Sequence, residues 1–187
     1  YFSVFANGGK SIQPFFIEKI LKTGEEVQFL EKQETNENFI ESWVGKKLPK
    51  EEIFTIDPRV SYIINDILLE ATRRGTGKKI QSLKRDDFAG KTGTTNDAES
   101  TWFTGFNKNI LTTVWFGYDQ PSTLGNKEFG SSTALPIWLD YMEDIIDDVE
   151  YGIQTRPSGL IAKKISLSDG MPANPEDSKT MFELFLD

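Results

Sequence analysis

The residues that pack the most chemistry into the shortest space are Lys91, Thr92, Thr94 and Thr95. They lie around Gly90 and Gly93 in Phe88-Ala89-Gly90-Lys91-Thr92-Gly93-Thr94-Thr95-Asn96-Asp97. A cation, hydroxyls and glycines that admit a close backbone or ligand suit either a phosphate loop or a binding strand. Gly90-Lys91-Thr92 has the last three letters of a nucleotide-binding P-loop, but that motif needs a glycine five positions before its last glycine. Arg85 stands there. A P-loop also opens a helix after its lysine, whereas Gly93 and the β-branched Thr94 and Thr95 oppose one. A second candidate, Gly75-Thr76-Gly77-Lys78-Lys79, has no Ser or Thr after Lys78 and reads as a helix-ending turn. Lys-Thr-Gly is therefore expected on a strand, with Lys91 and Gly93 facing one way and Thr92 and Thr94 the other.

The neighbouring sequence supplies partners for such a strand. Residues 101–106 and 110–117 have strand character, and Asn107-Lys108-Asn109 between them is short enough for a hairpin. With 88–95 they are expected to form consecutive antiparallel strands, packed on helices at 58–74 and 132–149. For the first helix, Asp57 is a good N-cap and Pro58 a good first residue. Val60, Ile63, Ile64, Ile67, Leu68 and Ala71 follow helical spacing, and Gly75 ends it. The second has Ser131-Ser132-Thr133 as a polar cap, Pro136 in its first turn and an apolar face of Leu135, Trp138, Leu139, Met142, Ile145, Ile146 and Val149. Its acidic residues Asp140, Glu143, Asp144, Asp147 and Asp148 read as a solvated face, since no calcium-type ligand loop accompanies them. Residues 1–7 read as the last turns of a helix closed by Gly8-Gly9, 15–21 and 27–30 as a hairpin, and 31–52 as a polar surface insertion. After Tyr151 the chain is rich in Pro, Gly and Ser, with one candidate strand at 160–167.

Composition excludes several classes. With 187 residues, 37% hydrophobic content, 14 Phe and 4 Trp, the chain is too apolar and aromatic for disorder. A net charge of −8 argues against nucleic acid or an anionic membrane as partner. Zero Cys and zero His exclude thiol catalysis, a Ser-His-Asp triad within the chain and ordinary zinc sites. No metal and no cofactor is expected, and no apolar run approaches the roughly 20 residues of a membrane helix.

The order of motifs points further. Lys91-Thr92-Gly93-Thr94-Thr95-Asn96-Asp97, then Trp102-Phe103-Thr104-Gly105-Phe106, then Val114-Trp115-Phe116-Gly117-Tyr118-Asp119 resembles the bifunctional (class A) penicillin-binding proteins. Tyr1-Phe2-Ser3-Val4-Phe5-Ala6-Asn7-Gly8-Gly9, Gly75-Thr76-Gly77, Leu124-Gly125-Asn126-Lys127-Glu128-Phe129-Gly130 and Ala134-Leu135-Pro136-Ile137-Trp138 extend the likeness to about Met142. The resemblance implies an α+β fold: an antiparallel sheet packed against helices, of the penicillin-binding-protein and β-lactamase type, present as a partial domain. Residues 1–149 are expected to be the C-terminal part of the transpeptidase domain and 150–187 a tail extension. Such enzymes use a Ser-x-x-Lys box, a Ser-x-Asn-type box and the Lys-Thr-Gly strand. No serine here has Lys three residues on or Asn two residues on. In the family both boxes precede the segment matched by residues 1–9, so the chain is expected to begin after them and to be inactive alone.

What the resemblance implies chemically is a peptidoglycan D,D-transpeptidase working through a serine acyl-enzyme, with stem peptides as substrates and β-lactams as inhibitors. Lys91 is expected to supply positive potential near the nucleophile. Thr92 and Thr94 are expected to bind the substrate carboxylate through their hydroxyls, Gly93 to admit the ligand, and the Thr94 N–H to be an oxyanion donor. Substrate would add as a strand along 90–95, which requires a free edge there. Trp102 and Phe103 are expected in sheet packing, and the resemblance implies that the Gly75-Thr76-Gly77 loop, which precedes the Lys-Thr-Gly strand in the family, shapes the site entrance. Ser100-Thr101 replace the family's usual Asp-Ala before that pair. The missing upstream part of the same protein would cover a sheet face drawn from Ala89, Trp102, Phe103, Phe106, Val114 and Phe116. The implied location is the extracytoplasmic (periplasmic) face of the bacterial inner membrane, with an N-terminal anchor outside this chain. The other reading is a non-catalytic binding or scaffold module. An open reading frame that starts near Tyr1 would favour the module, and several hundred residues upstream the enzyme.

Overall fold

A computed structural model describes residues 1–10, 12, 20–22, 25–27 and 56–187. Two compact units result, one of residues 1–10 and 55–187, the other of 11–54. In the second unit β1 (Ile20–Lys22) pairs antiparallel with β2 (Glu25–Val27). The expected hairpin is there over these residues, with Lys22 and Glu25 in the pairing instead of the turn; 15–19 and 28–30 lie outside the described residues. The insertion expected at 31–52 lies outside the described residues.

The first unit is built on a sheet of β3 (Ala89–Thr94), β4 (Ser100–Phe106) and β5 (Leu111–Gly117), antiparallel in the order β3-β4-β5. β-Branched and aromatic residues make these strands, and two short connections set their register. Thr95 closes the first connection, its hydroxyl accepting the N–H groups of Glu99 and Ser100 at 2.9 and 3.0 Å. Asn107 closes the second, its side-chain oxygen accepting the N–H groups of Asn109 and Ile110. Pairing of Ala89 with Phe106, Lys91 with Thr104 and Gly93 with Trp102 puts these residues on one face. Thr92, Thr94, Thr101, Phe103 and Val114 occupy the other.

Helices cover parts of both faces. α1 (Phe2–Ala6) and α2 (Pro58–Arg73) pack on Ala89, Phe106 and Leu111, with Leu68 and Leu69 buried among them. α3 (Ala134–Ile145) lies on the opposite face and buries Ala134, Leu135, Trp138, Leu139 and Met142 with Phe88, Phe103 and Ile80. The Phe88 and Phe103 rings meet the Trp138 indole edge-on, centroids 5.6 and 5.3 Å apart. Each such side chain stabilises the fold by about 1.5–3 kcal/mol through burial. The acidic residues of this helix and of the 3-10 turn after it are exposed, as expected.

Several expectations need correction. Asp57 does cap α2, accepting the Arg59 N–H at 2.8 Å, and the Arg59 guanidinium holds its pKa down at about 2. The expected apolar stripe of α2 is buried only in part: Leu68 is interior and Ile64 packs beside it, and the other buried residues are Ser61, Asn65, Leu69 and Thr72. Val60 and Ile67 of the apolar stripe are exposed, Ile67 at 53%. At its C-terminal end the helix approaches the strand closely: the Thr72 hydroxyl lies 2.7 Å from both the Leu69 and the Phe88 carbonyl, and a longer side chain there would hold helix and strand apart. Thr133 at the start of α3 makes no capping bond. Its hydroxyl donates to the Phe129 carbonyl and pairs with the Thr101 hydroxyl at 2.6 Å, which gives the unusual Thr101 a structural role. The tail has two strands, not one: β6 (Leu160–Ser166) and β7 (Thr180–Leu186) pair antiparallel, and β7 touches α2. Of the residues expected bare on the sheet, Ala89, Phe103 and Phe106 are buried. Trp102 and Phe116 are exposed, and so is Trp115, which was not expected.

Candidate active site

The first connection also decides which backbone groups of β3 face away from β4. Thr95 N–H donates to the Ser100 carbonyl at 3.1 Å, so 95 and 100 form a hydrogen-bonded pair. Hydrogen-bonded and non-hydrogen-bonded pairs alternate along an antiparallel ladder. The pairs Thr94–Thr101 and Thr92–Phe103 are therefore non-bonded ones. The N–H and C=O groups of Thr92 and Thr94 thus point away from β4, to the edge of β3 that no described strand occupies. Two observations agree with this polarity. Lys91 Nζ turns to that edge and donates to the Thr92 carbonyl at 2.8 Å, and Thr72 of α2 takes the Phe88 carbonyl further up the same edge.

Side chains divide as the strand period requires. Lys91 is exposed on the face of Gly93 and Trp102. The Trp102 indole is not interior packing: it is 45% exposed, beside the equally exposed Trp115, with ring centroids 6.4 Å apart. Thr92 and Thr94 lie on the other face, and each hydroxyl has a partner from a distant loop. Thr94 Oγ1 accepts the Gly130 N–H at 3.1 Å. Thr92 Oγ1 is 3.0 Å from Thr76 Oγ1, in the loop after α2. The two loops are tied to each other, Lys79 Nζ donating to the Ser131 carbonyl at 3.0 Å.

Gly130 reaches Thr94 by passing directly over the β3–β4 ladder. A Cβ there would lie 2.5 Å from the Trp102 carbonyl oxygen and 2.7 Å from that of Gly93, and neither backbone atom can give way. The structure thus brings Lys91, Thr92, Gly93 and Thr94 together as expected and adds Thr76 and Gly130. Gly130 is the residue before Ser131-Ser132-Thr133, a run that reads as a helix cap. The glycine itself is the signal that a backbone comes close.

Upstream, Arg85, Asp87 and Asn107 anchor the start of β3. Asp87 is fully buried and accepts from Arg85 Nε at 2.8 Å, Arg85 Nη2 at 2.6 Å, Asn107 Nδ2 at 2.9 Å and the Gly152 N–H at 2.9 Å. Burial pushes its pKa up. The hydrogen bonds from Arg85, Gly152 and Asn107 outweigh burial and hold the carboxyl below its usual range. The Arg85 guanidinium also donates to the Val149 and Glu150 carbonyls and lies over the Phe88 ring, 5.1 Å from its centroid. Elsewhere a cavity of about 260 Å³ is lined by residues such as Asn7, Pro58, Tyr62, Lys108 and Gln154, with none from β3.

An antiparallel edge strand carrying Lys-Thr-Gly-Thr, with hydroxyls on one face and an ammonium on the other, agrees with the comparisons. The family described as penicillin binding protein transpeptidase domain matches residues 1–143. The chain belongs to that family. It is 36% identical over 218 residues to penicillin-binding protein 1A of Pseudomonas aeruginosa, which covers 98% of this chain and 26% of that protein. Penicillin-binding protein 1A of Neisseria cinerea is 38% identical over 161 residues, covering 86% of the chain and 19% of that protein. The crystal structure of penicillin-binding protein 1A from Haemophilus influenzae superposes with a TM-score of 0.75 at 27% identity, over 97% of this chain and 30% of that one. The α+β transpeptidase fold follows, and the chain spans about a quarter of the Pseudomonas relative's length.

Proposed function

We propose that this chain is the C-terminal portion of a peptidoglycan D,D-transpeptidase, and that it forms one wall of a site whose nucleophilic serine comes from residues outside these 187. The observation that carries the reading is the edge of β3 that no described strand occupies, where Thr92 and Thr94 turn backbone groups outward between Lys91 and two hydroxyls. In the reaction the serine oxygen attacks the carbonyl of the penultimate D-Ala and its proton passes to a base. The terminal D-Ala leaves with a proton on its nitrogen, and the acyl-enzyme is resolved by an amine of a neighbouring stem peptide. Lys91 supplies positive potential beside the serine. The Thr94 N–H serves as one of two oxyanion donors, and the Thr92 and Thr94 hydroxyls hold the terminal carboxylate. The peptide adds as a strand along the free edge. A β-lactam acylates the same serine, and no metal or cofactor takes part.

The family match ends at residue 143, which supports reading 1–149 as the transpeptidase part and 150–187 as a C-terminal extension. The exposed Trp102 and Trp115 on the Lys91 face support cover by the upstream part of the same protein. No helix among the described residues is long and apolar enough to cross a membrane. An anchor outside this chain would hold the enzyme at the extracytoplasmic face of the inner membrane, in the periplasm of the bacterial envelope. The test is labelling of the parent protein and of the 187-residue chain with a fluorescent penicillin. The parent is expected to label and the chain alone to stay dark. A labelled 187-residue chain would refute the external nucleophile, and an unlabelled parent would refute the enzyme.

A further inference from the structure

We propose that Thr76 is a positioning residue for the carboxylate end of the substrate, an inference that rests on the transpeptidase reading above. A hydroxyl has one proton and two lone pairs, and an ionised carboxylate can only accept. Thr94 Oγ1 already accepts the Gly130 N–H, so its proton is the part left for a ligand. Thr92 lacks a backbone donor of that kind among the described residues, and its partner is the Thr76 hydroxyl at 3.0 Å. With no anion present either oxygen of that pair can donate. Once a carboxylate takes the Thr92 proton, the pair has one direction only: Thr76 donates and Thr92 accepts. Thr76 thus does for Thr92 what Gly130 does for Thr94, and both strand hydroxyls present protons to the same acceptor.

The loop is built to hold Thr76 there. The N–H groups of Gly75 and Gly77 both donate to the Ala71 carbonyl, at 3.1 and 3.0 Å, which folds the loop over the last turn of α2 with Thr76 at its tip. A Cβ on Gly75 would come within 2.8 Å of that carbonyl oxygen, so a glycine is required for the wrap. The Lys79–Ser131 bond then fixes this loop against the one that carries Gly130. Thr76 is exposed and belongs to neither hydrophobic cluster, so removing its hydroxyl leaves the core intact.

The experiment is acylation of the parent protein by benzylpenicillin and by its methyl ester, with the binding constant and the acylation rate constant resolved separately for wild type, Thr76→Val and Thr76→Ser. The expected result is about fivefold weaker binding of the free acid by Thr76→Val, the size of one net hydrogen bond. Its acylation rate constant should be unchanged, the ester unaffected, and Thr76→Ser at wild-type values. Equal binding of the free acid by wild type and Thr76→Val would overturn the proposal. So would a loss of the same size on acid and ester, which would mark a structural effect. A wild-type parent that neither compound acylates would instead sink the transpeptidase reading, and the proposal with it.

Discussion

Replacing Asp87 by Asn tests whether the start of the Lys-Thr-Gly strand is held by a buried charge. The substitution keeps shape and removes one negative charge. Three donors converge on Oδ2 of Asp87, so the amide oxygen of the variant must take that place. Its NH2 group then faces Arg85 Nε, where the carboxylate accepted at 2.8 Å, donor against donor. Breaking one partner of a buried ion pair costs about 3–5 kcal/mol. Arg85 keeps its bonds to Val149 and Glu150 and its side chain is 15% exposed, so the lower end, about 3 kcal/mol, applies. For a domain of 150–250 residues this lowers Tm by about 6–12 °C. The carboxyl's pKa is lowered in the fold, so its contribution is complete above the unfolded value of about 3.9 and is lost as pH falls through the lowered value. Thermal melts of the parent and the variant at pH 7 should therefore differ, and the gap should narrow below about pH 4. Penicillin acylation at 25 °C should stay within about twofold, because Asp87 is buried and precedes the strand residues of the site. Equal melting temperatures at pH 7 would refute the reasoning, as would a gap that widens in acid.

Other outcomes follow from the same geometry. Gly130→Ala puts a methyl group into the Trp102 and Gly93 carbonyls and displaces the Thr94 partner; a shift of about 1 Å there should slow acylation on the order of 100-fold, read by stopped-flow mixing with a chromogenic β-lactam. Trp138→Ala empties the space between Phe88 and Phe103 and should cost about 3–5 kcal/mol in denaturant titration. Thr101→Val removes the hydroxyl paired with Thr133 at 2.6 Å and should cost about 1 kcal/mol, with acylation unchanged in the fluorescent gel.

The central sheet was legible because strand-forming residues, short polar turns and a fixed period of two all agree from 88 to 117. The face of α2 was legible only in part. Leu68 and Ile64 of its apolar stripe do pack on the Ala89–Phe106 side of the sheet, but Val60 and Ile67 face water while Ser61, Asn65 and Thr72 are buried, Thr72 close enough to β3 to bond the Phe88 carbonyl. Periodicity counts hydrophobicity and cannot count closeness. β7 escaped notice because Thr180–Leu186 gains its strand only by pairing with β6, within a tail whose composition signals turns. At the site, Lys91, Thr92 and Thr94 were legible because one short motif carries them. Thr76 and Gly130 stand 16 and 36 residues from the hydroxyls they hold; the resemblance put the Thr76 loop near the site entrance, but the specific pairings come only with the fold.

The central claim is that the Lys91 ammonium belongs to the acylation machinery at the edge of β3. Its most direct test is the rate of penicillin acylation of the parent protein and its Lys91→Ala variant, followed by intact mass, with circular dichroism and thermal melts as the control for folding. Lys91 is exposed and its one described bond is to the carbonyl of the next residue, so the fold should not depend on it. The expected variant has the wild-type spectrum and melting temperature, and its acyl adduct is absent. A variant that gains the adduct at the wild-type rate would contradict it.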